Sequence, residues 1–204
     1  MKTKKKGLFI ILSSPSGAGK TTLAKKLTKN NKNIELSISY TTRKKRPLEK
    51  NNKDYNFVSE EEFIKLKKKK YFIEWAKVFN NYYGTSFVNV KKINNKGKDV
   101  LFDIDWQGAK QIRKKFSEYV VDFFIMPPSI LELRKRLLRR GQDKINIVNK
   151  RMKMAFTEMN HYKEYKYILI NDNFMKTVNK IHMIIKSERN QKLNMIQIKK
   201  NFKN

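Results

Sequence analysis

The segment Ser14-Pro15-Ser16-Gly17-Ala18-Gly19-Lys20-Thr21 follows the order G-x-x-x-x-G-K-[ST], with Ser14 in place of the first glycine. Each residue type has a reason to be there. Gly17 and Gly19 let the backbone turn its N–H groups inward around an anion. A helix that starts behind them adds its positive end. Lys20 brings a point charge to the β and γ phosphates of a nucleotide, and the Thr21 hydroxyl suits a Mg²⁺ ion. The flanks agree with this reading: the apolar run Gly7 to Ser13 precedes the loop, and Leu23, Ala24 and Leu27 follow at helical spacing. A chance glycine turn would lack them. The segment implies a bound triphosphate and no more, because such loops serve kinases, ATPases, GTPases and motors alike.

A second cluster is Ser39-Tyr40-Thr41-Thr42-Arg43-Lys44-Lys45-Arg46-Pro47. Two arginines three apart, with hydroxyls just before them, suit a phosphate monoester, since guanidinium forks bind its oxygens in pairs. Asp54-Tyr55, then Glu74, then Tyr82-Tyr83-Gly84-Thr85 follow. Glu74 is an acid in a basic, aromatic stretch. A carboxylate only accepts hydrogen bonds. A guanine edge offers it an N1–H and an amino group side by side, whereas adenine N1 presents a lone pair. The third cluster, Leu101-Phe102-Asp103-Ile104-Asp105-Trp106-Gln107-Gly108, puts two carboxylates at the end of an apolar strand, where a parallel sheet places its ligands. Taken singly, these residues also have plainer readings. Tyr55 and Tyr83 suit a packed core, and Asp103 and Asp105 suit caps on a strand-to-helix turn. Arg136, Arg140 and Arg151 suit a solvated helix face.

The elements that must position these groups alternate. Apolar strands are expected at Gly7 to Ser13, Asp99 to Ile104, Val120 to Met126 and Tyr167 to Ile170. Helices are expected at Thr21 to Lys29, Gln107 to Phe116, Ser129 to Arg139 and Phe174 to Glu188. Such alternation predicts a parallel sheet with helices on both faces. Between Ile34 and Val90 short alternating pieces, polar turns and clustered aromatics predict a small α+β insertion. Arg139 to Met159, dense in Arg and Lys with one weak apolar stripe at Ile147 and Met154, reads as a mobile cap. The polar, basic stretch Gln191 to Asn204 reads as a fraying end. Lys65 to Lys70 reads as a solvated helix face.

Composition narrows the classes. The chain has 204 residues, 39% of them hydrophobic and 12% aromatic, enough for one good core. Cysteine is absent, which excludes disulfides, thiol nucleophiles and thiolate metal sites. His161 and His182 are the only histidines, too few for a multi-histidine metal centre. No apolar run approaches the roughly 20 residues of a membrane span. Leu8 to Leu12 is shorter than the roughly 7–15 residues of a secretory apolar region. A soluble cytoplasmic protein is expected, with no membrane partner. The formal charge of +30, 48 Lys+Arg against 18 Asp+Glu, favours anionic partners. The excess is mostly lysine spread along the chain beside abundant asparagine, as A/T-rich codons produce. No zinc-finger or RNA-recognition pattern accompanies it, so no specific nucleic-acid partner is expected.

The sequence resembles guanylate kinase of the bacterial type. SSPSGAGKTT, SYTTRKKRP, DYNFV, IEWAKVFNNYYGTS, VLFDIDWQGA, RLLRRGQD, KRM and ILINDNF occur in family order from Gly7 to about Arg189. Ser14 departs from the general loop pattern, but small residues occur there in this family. The resemblance implies an α/β fold: a P-loop NTPase core with a parallel sheet flanked by helices (1–35, 96–137 and 160–204), a small α+β GMP-binding insertion (36–95) and a helical lid (138–159). It implies ATP and GMP as the substrates, Mg²⁺ as cofactor, and a monomer or homo-oligomer. Ser14, Pro15, Ser16, Gly17, Ala18, Gly19, Lys20, Thr21 and Thr22 would bind ATP, with Arg136 and Arg140 closing over it and Asn171 near the adenine. Ser39, Arg43, Arg46, Tyr55 and Tyr83 would hold the GMP phosphate. Glu74, Thr85 and Asp105 would read the guanine, with Gly108 beside them. Asp103 would lie near the phosphates and, through water, the metal, which Thr21 would ligate directly. Lys20, Arg43, Arg136, Arg140 and Arg151 are the expected catalytic cations. The competing readings are a scaffold domain without nucleotide turnover, a nucleic-acid-binding P-loop protein, and a kinase of the same fold for another small molecule.

Overall fold

The computed structural model describes residues 7–139 and 145–201. Its centre is a five-stranded parallel sheet built from β1 (Phe9–Ser13), β2 (Ile34–Leu36), β7 (Asp99–Asp103), β8 (Val120–Met126) and β9 (Tyr167–Ile170), in the order β2-β7-β1-β8-β9. Strands β1, β7 and β8 are apolar almost throughout because both faces of the sheet are covered. The side chains alternate accordingly. Leu8, Ile10 and Leu12 pack with Leu23, Ala24 and Leu27 of α1 (Lys20–Asn30) and with Val178, Ile181 and Ile185 of α7 (Phe174–Asn201). Phe9 and Ile11 face the opposite layer, with Val90 and Ile93 of α3 (Phe87–Asn95) and Ala109 and Ile112 of α4 (Trp106–Phe116). Arg189 on α7 pairs with the buried Asp99 carboxylate, which also accepts the Leu8 N–H, so the last helix is tied to the sheet.

A second sheet has four strands: β3 (Tyr40–Thr41), β4 (Asn56–Phe57), β5 (Phe72–Val78) and β6 (Asn81–Ser86), in the order β4-β3-β6-β5. Phe63 of α2 (Glu60–Lys68) anchors it. Its ring stacks on Phe72 at 4.5 Å and on Tyr82 at 5.2 Å. Strands β5 and β6 pair antiparallel, joined by Phe79 and Asn80, both in the left-handed region at φ 49° and 62°. A two-residue turn of that kind matches the twist of its strands. Among Lys65 to Lys70, Lys67 is not merely solvated, as its ammonium lies 3.5 Å from the centre of the Trp75 ring.

Two expectations are corrected, the apolar stripe at Ile147 and Met154 and the fraying end. The stretch 139–159 contains a helix, α6 (Ile145–Met159), which follows α5 (Ile130–Arg139). It buries Val148, Ala155 and Met159, while Ile147 stays exposed. The inward face was hidden because one of its three contacts is an alanine, a residue with too little side chain to mark an apolar stripe. The expected fraying from Gln191 is replaced by helix: α7 runs on to Asn201 and leaves Leu193, Met195, Ile196 and Ile198 exposed. Short 3₁₀ turns at Ser117–Tyr119 and Asn160–Glu164 complete the described elements.

Candidate active site

A cleft of about 230 Å³ opens where the loops after β1 and β7 meet the inner face of β5 and β6. The glycine loop forms one wall. Gly17 and Gly19 both adopt φ 99°, which costs glycine nothing and a side chain dearly. Ser14 is not in that region, which explains why a serine can replace the glycine of the general pattern. Lys20 Nζ donates to the Ile104 carbonyl at 2.9 Å and stands 3.1 Å from Asp103 Oδ1. Thr21 Oγ1 donates to Asp103 Oδ2 at 2.8 Å. A hydroxyl and a carboxylate side by side form a hard-oxygen pair that fits Mg²⁺, an ion held by one or two carboxylates together with substrate phosphates and water. Among the described residues no group of three or more His, Cys, Asp or Glu could cage a metal by itself.

Behind the loop, Asn171 Nδ2 donates to the Ala18 carbonyl at 2.9 Å and would lie 2.7 Å from any Cβ placed on Gly19. Arg136 donates to the Asn171 carbonyl at 3.1 Å and to Glu132 Oε1 at 2.9 Å. Arg136 and Asn171 therefore brace the loop from outside the cleft. Ala18 is buried, and Thr22 lines a neighbouring cavity. Arg140 lies outside the described residues.

The opposite wall carries the paired arginines. Arg43 Nη2 donates to Glu49 Oε1 at 2.7 Å, and the Arg46 backbone N–H donates to Glu49 Oε2 at 2.9 Å. Burial alone would raise the Glu49 carboxyl, but the Arg43 guanidinium and the Arg46 N–H hold it below its ordinary range. The Arg43 guanidinium lies 5.5 Å from the Tyr55 ring centre, and Tyr55 meets Tyr83 edge to face at 6.1 Å. Burial, and next the Asp103 charge, push the Tyr55 phenol well above its ordinary value, so it stays a hydrogen-bond donor. Ser39, Arg43, Arg46, Tyr55 and Tyr83 all line the same cleft.

Between the two walls sits Glu74, only 3% exposed. The β5–β6 register sets Glu74 directly across from Thr85, and Ser39 Oγ lies 3.3 Å from Thr85 Oγ1. Burial pushes the Glu74 carboxyl up to about 7; the Thr85 hydrogen bond pulls it down and the Asp105 charge raises it. Gly108 has a definite purpose, because a Cβ there would stand 2.4 Å from Glu74 Oε2. Asp105 is indeed a helix cap, accepting the Gly108 N–H at 3.0 Å and the Gln107 side chain at 2.9 Å, yet it lines the cleft as well. Asp103 and Arg151 line it too, whereas Thr85 and Gly108 support Glu74 from behind.

Among the cleft and supporting residues that have no counterpart in the sequence expectations, Glu49, Glu158 and Phe79 make specific polar or ring contacts. Ser16 N–H donates to Glu158 Oε2 at 3.0 Å, and the Arg151 guanidinium lies 5.7 Å from the Phe79 ring centre. A signal did exist for the two acids. Glu49 is the only carboxylate between Glu35 and Asp54, and Glu158 the only one between Asp143 and Glu164.

The family model for guanylate kinase matches residues 6–188. The chain belongs to the guanylate kinase family. The guanylate kinase of Rickettsia prowazekii is 50% identical over 189 residues, 93% of this chain and 95% of that one. That of Rickettsia felis is 51% identical over 189 residues, 93% and 98% of the two chains. A crystal structure of guanylate kinase from Anaplasma phagocytophilum aligns with a TM-score of 0.77 at 40% identity, covering 91% of this chain and 88% of that one. The chain shares the guanylate kinase fold and is a kinase, an ATP:GMP phosphotransferase. Among the described residues no helix is long and apolar enough to cross a membrane.

Proposed function

We propose that the cleft transfers the γ-phosphoryl group of ATP directly to GMP or dGMP, giving ADP and GDP or dGDP, and that the roles divide as follows. The core sheet with its loop binds ATP, the region 36–95 binds GMP, and the segment 138–159 acts as the lid. The observation that carries the reading is Glu74, a buried acceptor set between the phosphate loop and the arginine pair, where a guanine edge supplies two donors. Thr85 and Asp105 complete that edge. Ser39, Arg43, Arg46, Tyr55 and Tyr83 hold the monophosphate.

A nucleoside monophosphate is mostly a dianion at neutral pH, its second pKa being about 6. Its oxygen can attack phosphorus without a general base. The new P–O bond forms to the GMP phosphate as the bond to the β–γ bridging oxygen breaks, leaving ADP. The chain's work is then to align two polyanions and to neutralise them. Lys20 acts on the β and γ phosphates, Arg43 holds the acceptor, and Arg151 acts from the lid, joined by Arg136 and Arg140 when it closes. Thr21 and Asp103 would hold Mg²⁺, which supplies charge neutralisation on the triphosphate when bound. Closing the insertion and the lid on each other excludes water that would otherwise hydrolyse ATP.

A coupled assay of ADP release with GMP, dGMP, AMP, UMP and CMP as acceptors tests the reading. GMP and dGMP are expected to turn over in the presence of Mg²⁺, and the other three to lag by orders of magnitude. Equal rates with AMP would overturn it.

A further inference from the structure

The lid helix α6 carries Arg151, Ala155 and Glu158 at positions i, i+4 and i+7, one above another on a single face. Ala155 is fully buried there, so the face lies close against the body of the protein, and Arg151 and Glu158 flank it on the cleft. Glu158 reaches across 142 residues of sequence to accept the Ser16 N–H of the phosphate loop at 3.0 Å. Burial raises its carboxyl above the ordinary range; the Ser16 N–H and the charges of Lys20 and Arg151 pull against that, while Asp105 adds to it. The Arg151 guanidinium also lies near the Phe79 ring, at the tip of the β5–β6 turn with its backbone in the left-handed region. A bulky residue holds such a backbone only where its surroundings impose it. Arg151 thus interacts with a carboxylate on its own helix and with an aromatic ring on the insertion.

Direct work on the substrate does not suit Glu158. An ionised carboxylate repels phosphates and offers them no donor, and the attacking phosphate needs no base. What it does hold is the loop. We propose that Glu158 is a positioning residue for phosphoryl transfer: by accepting the Ser16 N–H it pins α6 to the phosphate loop and so fixes where Arg151 stands. This rests on the role given to Arg151 under the proposed function.

The test is a double-mutant cycle on the full-length enzyme, comparing Glu158→Ala, Glu158→Gln, Arg151→Ala and Glu158→Ala with Arg151→Ala. Glu158→Ala is expected to lower kcat at least ~10-fold, the scale of losing a hydrogen bond to a charged group, with KM for ATP and GMP within about threefold. Glu158→Gln keeps an acceptor for the Ser16 N–H and should retain kcat within about threefold. The double variant should be no more than about twofold slower than Arg151→Ala alone, because residues acting as a unit are not additive. Melting curves of all four separate misfolding from lost positioning, and the Gln variant keeps the test valid where the Ala variant is unstable. An unchanged kcat in Glu158→Ala would overturn the inference. So would a lowered KM for ATP at unchanged kcat, which would mark Glu158 as a mere stand-in for phosphate, or losses that multiply in the double variant. Wild-type turnover in Arg151→Ala would instead remove the role of Arg151 itself, and the tether with it.

Discussion

Guanine selection by Glu74 should be pH-dependent in a way that the phosphate groups cannot imitate. The free enzyme holds the Glu74 carboxyl near 7, chiefly by burial. Only its ionised form accepts both the N1–H and the amino group of guanine. With a pKa near 7, about nine-tenths of the enzyme is competent at pH 8 and about one-tenth at pH 6. The pH dependence of kcat/KM reports groups of the free enzyme and free substrate. GMP and AMP share the same phosphate titration, with a second pKa of about 6, so it cancels from the ratio of their kcat/KM values. That ratio is therefore expected to fall about tenfold from pH 8 to pH 6. In Glu74→Gln it should be flat with pH. It should also be lower at pH 8 by roughly 10–100-fold, the value of a charge-assisted hydrogen bond. A steady-state assay with both acceptors at five or six pH values decides it. A ratio that ignores pH in the wild type, or that keeps its slope in Glu74→Gln, would refute the reasoning.

The same carboxyl makes a stability statement of opposite sign. Its folded pKa is raised, so the neutral form suits the fold, and the benefit is present below the unfolded value of 4.5 and lost as pH rises through about 7. Glu74→Gln should accordingly melt higher than the wild type at pH 8 and close to it at pH 5. Thermal unfolding at the two pH values would show this, and a difference of the reverse sign would contradict the burial of the charge.

Three further outcomes can be checked on purified variants. Gly108→Ala puts a methyl 2.4 Å from Glu74 Oε2, so it should raise KM for GMP at least ~10-fold while KM for ATP stays near normal; overpacking of this kind typically costs 1–3 kcal/mol. Lys20→Ala should lower kcat by at least ~10²-fold with the melting temperature little changed, as for removal of one preorganised donor; single-turnover rates would show it. Phe63→Ala removes the ring that stacks on Phe72 and Tyr82 and should destabilise the protein by roughly 3–5 kcal/mol, read by urea unfolding.

What the sequence made legible follows from what has a period or a spacing. The parallel strands β1, β7 and β8 were visible because burial on both faces forces unbroken apolar runs, and the apolar run of β9 was visible too, although Ile168 and Ile170 are exposed. Gly17, Gly19, Lys20 and Thr21 were visible because an anion dictates residue types at fixed offsets. Glu74 and Thr85 could be named, but their juxtaposition depends on the β5–β6 register, including a shift between Phe72 and Glu74 that no alternation pattern reveals. Arg136 and Asn171 have the residue types of a nucleotide site, yet their hydrogen bonds go to Glu132, to the Ala18 carbonyl and to each other. Sequence gives a residue's chemistry without its direction.

The cleft also shows why two of its supporting acids, Glu49 and Glu158, escaped notice while Asp103 did not. In a chain of net charge +30, the phosphate-binding groups would repel one another unless each were held by a local partner. Asp103 serves Lys20, Glu49 serves Arg43 and Arg46, and Glu158 serves the Ser16 amide. These carboxylates fix donors in the places where phosphate oxygens are to arrive, which is the preorganisation that electrostatic catalysis requires. The positions of Glu49 and Glu158 answer to the groups they hold and not to the substrate, so they carry no spacing of their own. The readable trace is rarity: a lone acid in a long basic stretch is there because some cation or amide nearby needs holding. On this argument the few acids of such a chain are more informative than its many lysines.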